Sequence, residues 1–172
     1  MKNAAINTLE YTGMVTLSQY INSKKVKLAQ VQNEGGNPLF NFMSDCLIGD
    51  FDVARVNLPT KIMLLNVTST KDTDGNTSVL NIESRSGFVY LLTKPEKVYN
   101  ATKSVVRYSF ALSRDILEGT DFNSIGLYAA GTAETHPQEY AALCKVSING
   151  NDISTSSILV VDWELNISNK NY

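Results

Sequence analysis

Ile158-Leu159-Val160-Val161-Asp162-Trp163-Glu164-Leu165-Asn166-Ile167-Ser168 is the stretch whose reading decides the fold. Leu159, Val161, Trp163, Leu165 and Ile167 fall on one parity, and Asp162, Glu164, Asn166 and Ser168 on the other. Successive side chains of a strand point to opposite faces, so this run makes one dry face and one wet face. The only Trp of the chain sits on the dry side. Trp163 is therefore expected in the core, where truncation to Ala would be costly.

The same period opens the chain. Leu9, Tyr11, Val15 and Leu17 alternate with Glu10, Thr12, Thr16 and Ser18, which predicts a first amphipathic strand. Asn22-Ser23-Lys24 is turn material, and Lys25 to Gln32 predicts a second strand in which Val26 and Leu28 alternate with Lys25 and Lys27. Residues 37–49 change period. Asn37 suits an N-cap, Pro38 the first helical position, and Gly49 the left-handed residue past the end. Leu39, Phe42, Met43, Cys46 and Leu47 recur at helical spacing, so an amphipathic helix over about 38–48 is expected to lie across an end or face of the sheets.

After Pro59 the pattern is almost wholly β-like. Lys61 to Thr68 is apolar on both faces, which suits a central strand. Asp72-Thr73-Asp74-Gly75-Asn76 reads as a hairpin turn, with Thr77 to Ser84 as the returning strand. Arg85 to Thr93 reads equally as a short helix or a strand. Lys103 to Ser113 is a clear strand, and Ser113 to Gly119 closes as one helical turn. Ser124 to Ala130, Glu139 to Ile148 and Ser157 to Ser168 complete the set. Gly126 between Ile125 and Leu127 marks a close backbone approach or a bulge. Strands 61–68 and 139–148 must cover a second apolar face, with the chain itself the preferred cover and another subunit the alternative. Roughly eight short strands with turns at this spacing imply a mainly β chain, a single-domain antiparallel β-sandwich over residues 1–172 with one amphipathic helix.

With 172 residues, 43% of them hydrophobic and 19% charged, the chain can bury one sizeable core. A formal net charge of −2 gives no phosphate-tracking surface, so no nucleic-acid partner is expected. The N-terminus lacks the apolar run of a secretory signal, and no stretch approaches the roughly 20 apolar residues of a membrane span. No membrane partner is expected, and folding in a cytoplasm is.

Chemistry is hard to find. His136, the only histidine, lies in the polar loop Thr135-His136-Pro137-Gln138, where solvation explains it better than a base for Ser or Cys. Cys46, His136 and Cys144 lack zinc spacing. Cys46 and Cys144 are expected as two buried free thiols, with a disulfide between them as the alternative. Asp72, Asp74 and Asn76 alternate as in a calcium loop, but Gly75 is misplaced and no bidentate Glu follows. Asp162 and Glu164 sit two apart on one strand face, where plain solvation outweighs glycosidase work. Gly35-Gly36 precedes a helix without the lysine of a phosphate loop. The sequons at Asn66, Asn76, Asn100 and Asn166 are what chance gives in a chain rich in Asn, Ser and Thr. No catalytic, cofactor-binding or metal-binding residue is expected, and the chain is not expected to be an enzyme.

Three segments carry a resemblance: Ser124-Ile125-Gly126-Leu127-Tyr128, Ala141-Ala142-Leu143-Cys144-Lys145-Val146, and Leu159-Val160-Val161-Asp162-Trp163-Glu164-Leu165. In this order they resemble the small β-rich virion proteins of tailed phages, of the fibre-attachment and collar type. Asn37-Pro38-Leu39-Phe40-Asn41-Phe42 is similar to the helical element such proteins place early, while Lys145 stands where that pattern has Arg. The resemblance covers the last third of the chain well and the helix loosely. It implies a structural virion protein at the tail, baseplate or neck, or else a capsid decoration or head-fibre protein. It further implies a symmetric homo-oligomer, other virion structural proteins as partners, and assembly in the host cytoplasm. A carbohydrate- or host-receptor-binding sandwich is the rival reading, with Tyr99 and Tyr140 as candidate platforms and Trp163 unsuited by its core parity.

Overall fold

The computed structural model describes residues 8–35, 37–50, 58–71, 77–99, 103–119, 121–132, 142–148 and 153–170. The chain is mainly β, a sandwich-like single domain of two antiparallel sheets. β1 (Thr8–Ile21) and β2 (Lys24–Gly35) form a long hairpin, followed by α1 (Asn37–Ile48). Then come β3 (Pro59–Lys71), β4 (Thr77–Ser84), β5 (Val89–Tyr90), β6 (Glu96–Tyr99) and β7 (Lys103–Leu112). α2 (Arg114–Leu117), β8 (Ser124–Ala129), β9 (Ala142–Ser147) and β10 (Leu159–Lys170) complete the order.

One sheet runs β2-β1-β10-β7-β6 and the other β4-β3-β8-β9. β10 lies between β1 and β7, with Trp163 opposite Val15 on one side and Tyr108 on the other. This register puts Leu159, Val161, Trp163 and Leu165 in one buried row with Val15, Leu17, Phe110 and Leu112. Ile62, Leu64, Ile125, Leu127, Leu143 and Val146 meet them from the opposite sheet. The dry face expected of the last strand is thus the centre of the core.

The sheets touch along two seams. On one, the Leu91 amide donates to the Thr60 carbonyl and the Leu92 amide to that of Ser109, both at 2.9 Å, so this short segment stitches β3 to β7. On the other, β2 reaches β9 only at its last residues, Glu34 opposite Lys145 and Gly35 opposite Cys144. Arg85 to Thr93 is therefore neither a helix nor a long strand. Only Val89 and Tyr90 pair with β3, because the next two amides serve different strands.

β3 shows how a two-faced apolar strand is covered. Lys61 to Leu65 are all buried. Ile62 and Leu64 face the main core, while Met63 and Leu65 join Tyr128, Phe88 and Val67 in a second small cluster. The chain itself supplies that cover. Gly126 is a close approach, since a Cβ there would stand 2.7 Å from the Tyr128 ring and 3.1 Å from Leu65.

α1 ends as its sequence predicts. Gly49 has φ 79°, and the Asp50 amide returns to the Asp45 carbonyl at 3.0 Å, the six-to-one bond of a Schellman cap. Its burial, however, is partial. Leu39 is buried and Phe42 and Met43 pack against the core, but Cys46, Leu47 and Ile48 are exposed. Only the first turns lie over the sandwich, where Phe40 meets Tyr11 edge-on at 6.4 Å. The expectation of two buried thiols is corrected for Cys46. Both cysteines are free, and Cys144 alone is buried.

β2 forms where its alternation predicts a strand, with one irregularity. Leu17 pairs with Ala29 and Ser18 with Lys27, leaving Leu28 as an unpaired bulge residue. Up to Leu28 the even positions face inward as the sequence predicts, and beyond it Ala29 and Val31 pack against the core instead. Val26, near the hairpin end, is exposed. The turn at Asp72–Asn76, the His136 loop and the turn at Asn149–Asp152 lie outside the described residues.

Candidate functional site

The wet face of β10 carries the one carboxylate pair that the sequence offered for acid–base work, and each member has its own partner. Lys25 Nζ donates to Asp162 Oδ2 at 2.8 Å and Ser109 Oγ to Asp162 Oδ1 at 2.7 Å. Arg107, directly across the ladder, gives Glu164 Oε1 two bonds of 2.9 and 2.7 Å and reaches Glu96 at 3.6 Å. Burial alone would push the Asp162 carboxyl up. Hydrogen bonds from Lys25 and Ser109, with the charges of Lys25 and Arg107, instead hold it below its ordinary value. A glycosidase acid must be raised. The pair is a cross-strand tie.

Cys144 lies where the sheets meet at the end of β2. Its Sγ is 3.2 Å from the Tyr11 hydroxyl, which accepts a bond from Asn33 Nδ2 at 3.1 Å. Burial pushes the thiol up to about 12 and drives the Tyr11 phenol higher still. A nucleophilic cysteine needs the reverse shift. This cluster is a buried polar clasp between β1, β2 and β9. Gly13 makes room for it, since a Cβ there would fall 1.5 Å from Asn33 Oδ1.

The remaining candidates do not converge on a centre. His136, Tyr140, Asp72, Asp74 and Asn76 lie outside the described residues, as does the Tyr99 side chain. Among the described residues no group of His, Cys, Asp and Glu is gathered to hold a metal ion. No described helix is long and apolar enough to cross a membrane. Trp163 is fully buried, so it offers no platform to a sugar.

What the surface does offer is apolar area at both ends of β2. At the hairpin end Tyr20, Ile21 and Ile158 are each about half exposed, with Val26 at 39%. Beyond the other end, α1 exposes Phe40 by 49% and Leu47 and Ile48 by 76% each. Between these ends an open groove of about 490 Å³ runs beside β2, lined mainly by Leu17, Leu28, Ala29, Val31, Ile148 and Ile153. Its far wall is fixed by Gln19. That buried amide donates to the Ser154 carbonyl at 2.6 Å and accepts from the Ser154 amide at 3.0 Å. The Ser157 hydroxyl adds a 2.8 Å bond to the Tyr20 carbonyl. The only signal for Gln19 in the sequence is a polar residue on the dry parity of Val15 and Leu17.

Compared with known proteins, the chain matches no family model, no curated protein and no solved structure.

Proposed function

We propose that this protein is a structural component of a tailed-phage particle, acting by protein–protein contact at the tail, baseplate or neck. The observation that carries the reading is the pair of apolar surfaces at opposite ends of β2: Tyr20, Ile21, Val26 and Ile158 at one, Phe40, Leu47 and Ile48 at the other. A monomer gains nothing from leaving large apolar side chains in water at two separate ends, whereas a subunit between neighbours buries both. The resemblance of the last third of the chain to small β-rich virion proteins supports the same reading. So does the pairing of Asp162 and Glu164 with cations, which leaves them to bind strands together.

Two paired substitutions test it: Tyr20→Ser with Ile21→Ser, and Leu47→Ser with Ile48→Ser. Native mass measurement should find a symmetric oligomer for the parent chain. At least one pair should reduce it to smaller species without lowering the melting temperature, since these side chains are outside the core. Protein identification in purified particles should find the chain in the tail fraction. Recovery with heads would move it to decoration or head-fibre duty. A persistent monomer that is missing from particles would end the proposal.

A further inference from the structure

Among the described residues the second seam of the sandwich is largely unpaired. β2 and β9 meet at two residue pairs, Glu34 with Lys145 and Gly35 with Cys144. From Lys24 to Asn33, β2 is paired to β1 along one edge. Among the described residues no strand lies against the other edge over that span. Such an edge is a row of amides and carbonyls ready to pair with another chain. Beneath it lies the groove of about 490 Å³, lined by Leu17, Leu28, Ala29 and Val31 on the hairpin side and Ile148 and Ile153 on the other.

Charge narrows the occupant. The chain carries a net −2, yet Lys24, Lys25 and Lys27 all stand exposed on this one strand. Lys25 meets Asp162 on the outer face of the sheet, and Lys27 shares its parity. Lys24 and Lys27 have no carboxylate partner among the described residues.

We propose that this seam receives an extended strand from another protein, one that alternates apolar with acidic side chains. Its backbone would continue the sheet from β2, and its apolar residues would enter the groove. Its carboxylates would stand on the outer face beside Lys25 and Lys27, within cross-strand reach. The inference deepens the proposed function by naming a partner's chemistry, and it rests on that reading only in taking the chain to work by protein contact.

The test uses the full chain and an end-blocked peptide of about six residues alternating Val and Glu. Controls are a Val–Lys peptide and the Val–Glu peptide with alternate backbone nitrogens methylated. Titration should show the acidic peptide binding at least about tenfold more tightly than the basic one. Methylation should abolish that binding, and amide exchange should slow within β2. Lys27→Glu should weaken the acidic peptide by about tenfold. Lys25→Glu with Lys27→Glu should weaken it further and admit the basic peptide. Because the double variant also loses the Asp162 tie, its urea midpoint is measured alongside, and the single variant decides if the double unfolds.

Unchanged β2 exchange at roughly millimolar acidic peptide would overturn the proposal, as would equal binding by Lys27→Glu. Concentration-dependent protection of β2 in the chain alone would assign the seam to a second copy, and would also overturn it. A chain that rejects the peptide yet is recovered from particles loses this inference and keeps its proposed function. A chain that takes the peptide but is missing from particles does the reverse.

Discussion

β10 and β2 flank the same strand, β1, and are equal in length at 12 residues, but they live differently. β10 is paired on both edges, in twelve residue pairs with β1 and ten with β7. β2 makes nine pairs with β1 and only two with β9. The first has spent its backbone and its dry face on cohesion. The second keeps, among the described residues, one open edge, a groove, and two lysines without a carboxylate partner, Lys24 and Lys27. Within one sheet, neighbour satisfaction separates the part that holds the fold from the part that is free to make contacts.

The largest expected effect lies on β10. Trp163→Ala removes the largest fully buried side chain, between Val15 and Tyr108, and should cost about 3–5 kcal/mol. On β2, Val31→Ala truncates a half-buried side chain beside a groove that is already open, so little new cavity forms. It should cost about 1 kcal/mol. Urea unfolding of both variants checks the pair. Equal losses would mean that β2 is as deeply committed to the core as β10, and the contrast would collapse.

Asp162 joins the two strands, because its carboxylate holds Lys25 of β2 to β10. Its folded-state value is depressed, so the stability it adds is present above the ordinary carboxylate range and is lost as pH falls through the lower folded value. Asp162→Asn should therefore lower stability by about 1 kcal/mol at neutral pH. The gap from the parent chain should narrow as pH falls below the ordinary carboxylate range and close only below the depressed folded value. Urea midpoints along that pH series measure it. A gap that stays constant would show that Ser109 and shape, not charge, hold the position.

Much of this contrast is legible in the sequence, and its limits are physical. The alternation from Leu159 to Ile167 is enough to place Trp163 inside, because a strand paired on both edges obeys its period. Alternation also finds β1, but it cannot show the extra residue at Leu28, since a bulge is set by the partner strand. The change of core-facing parity from Leu28 to Ala29 and Val31 is missed for that reason. Helical spacing groups Leu39, Phe42, Met43, Cys46 and Leu47 on one face, but it does not say how far the sandwich extends beneath them. Cys46 and Leu47 fall past its edge. Arg85 to Thr93 is ambiguous because its amides are claimed by Thr60 and Ser109, residues on two distant strands. The seam groove has no local signature at all. It arises from where β2 and β9 stop pairing, a long-range fact.

The smallest effect concerns why β2 is available. Asn22 and Ser23 both have positive φ, 50° and 65°, the geometry of a tight primed turn. Asn tolerates that region, whereas Ser pays about 1–2 kcal/mol for it. Ser23→Gly removes that strain but adds unfolded-chain freedom, worth roughly 0.5–1 kcal/mol in the other direction. The net should be a gain of about 0.5–1 kcal/mol in unfolding free energy, read from the urea midpoint. Amide exchange at the hairpin tip should slow, while exchange along the β2 edge facing the groove should not. That separation matters, because a firmer turn cannot supply a missing neighbour. If Ser23→Gly protected the whole of β2, looseness of the hairpin would explain the strand's exposure, and the difference from β10 would lie in the turn and not in the open seam.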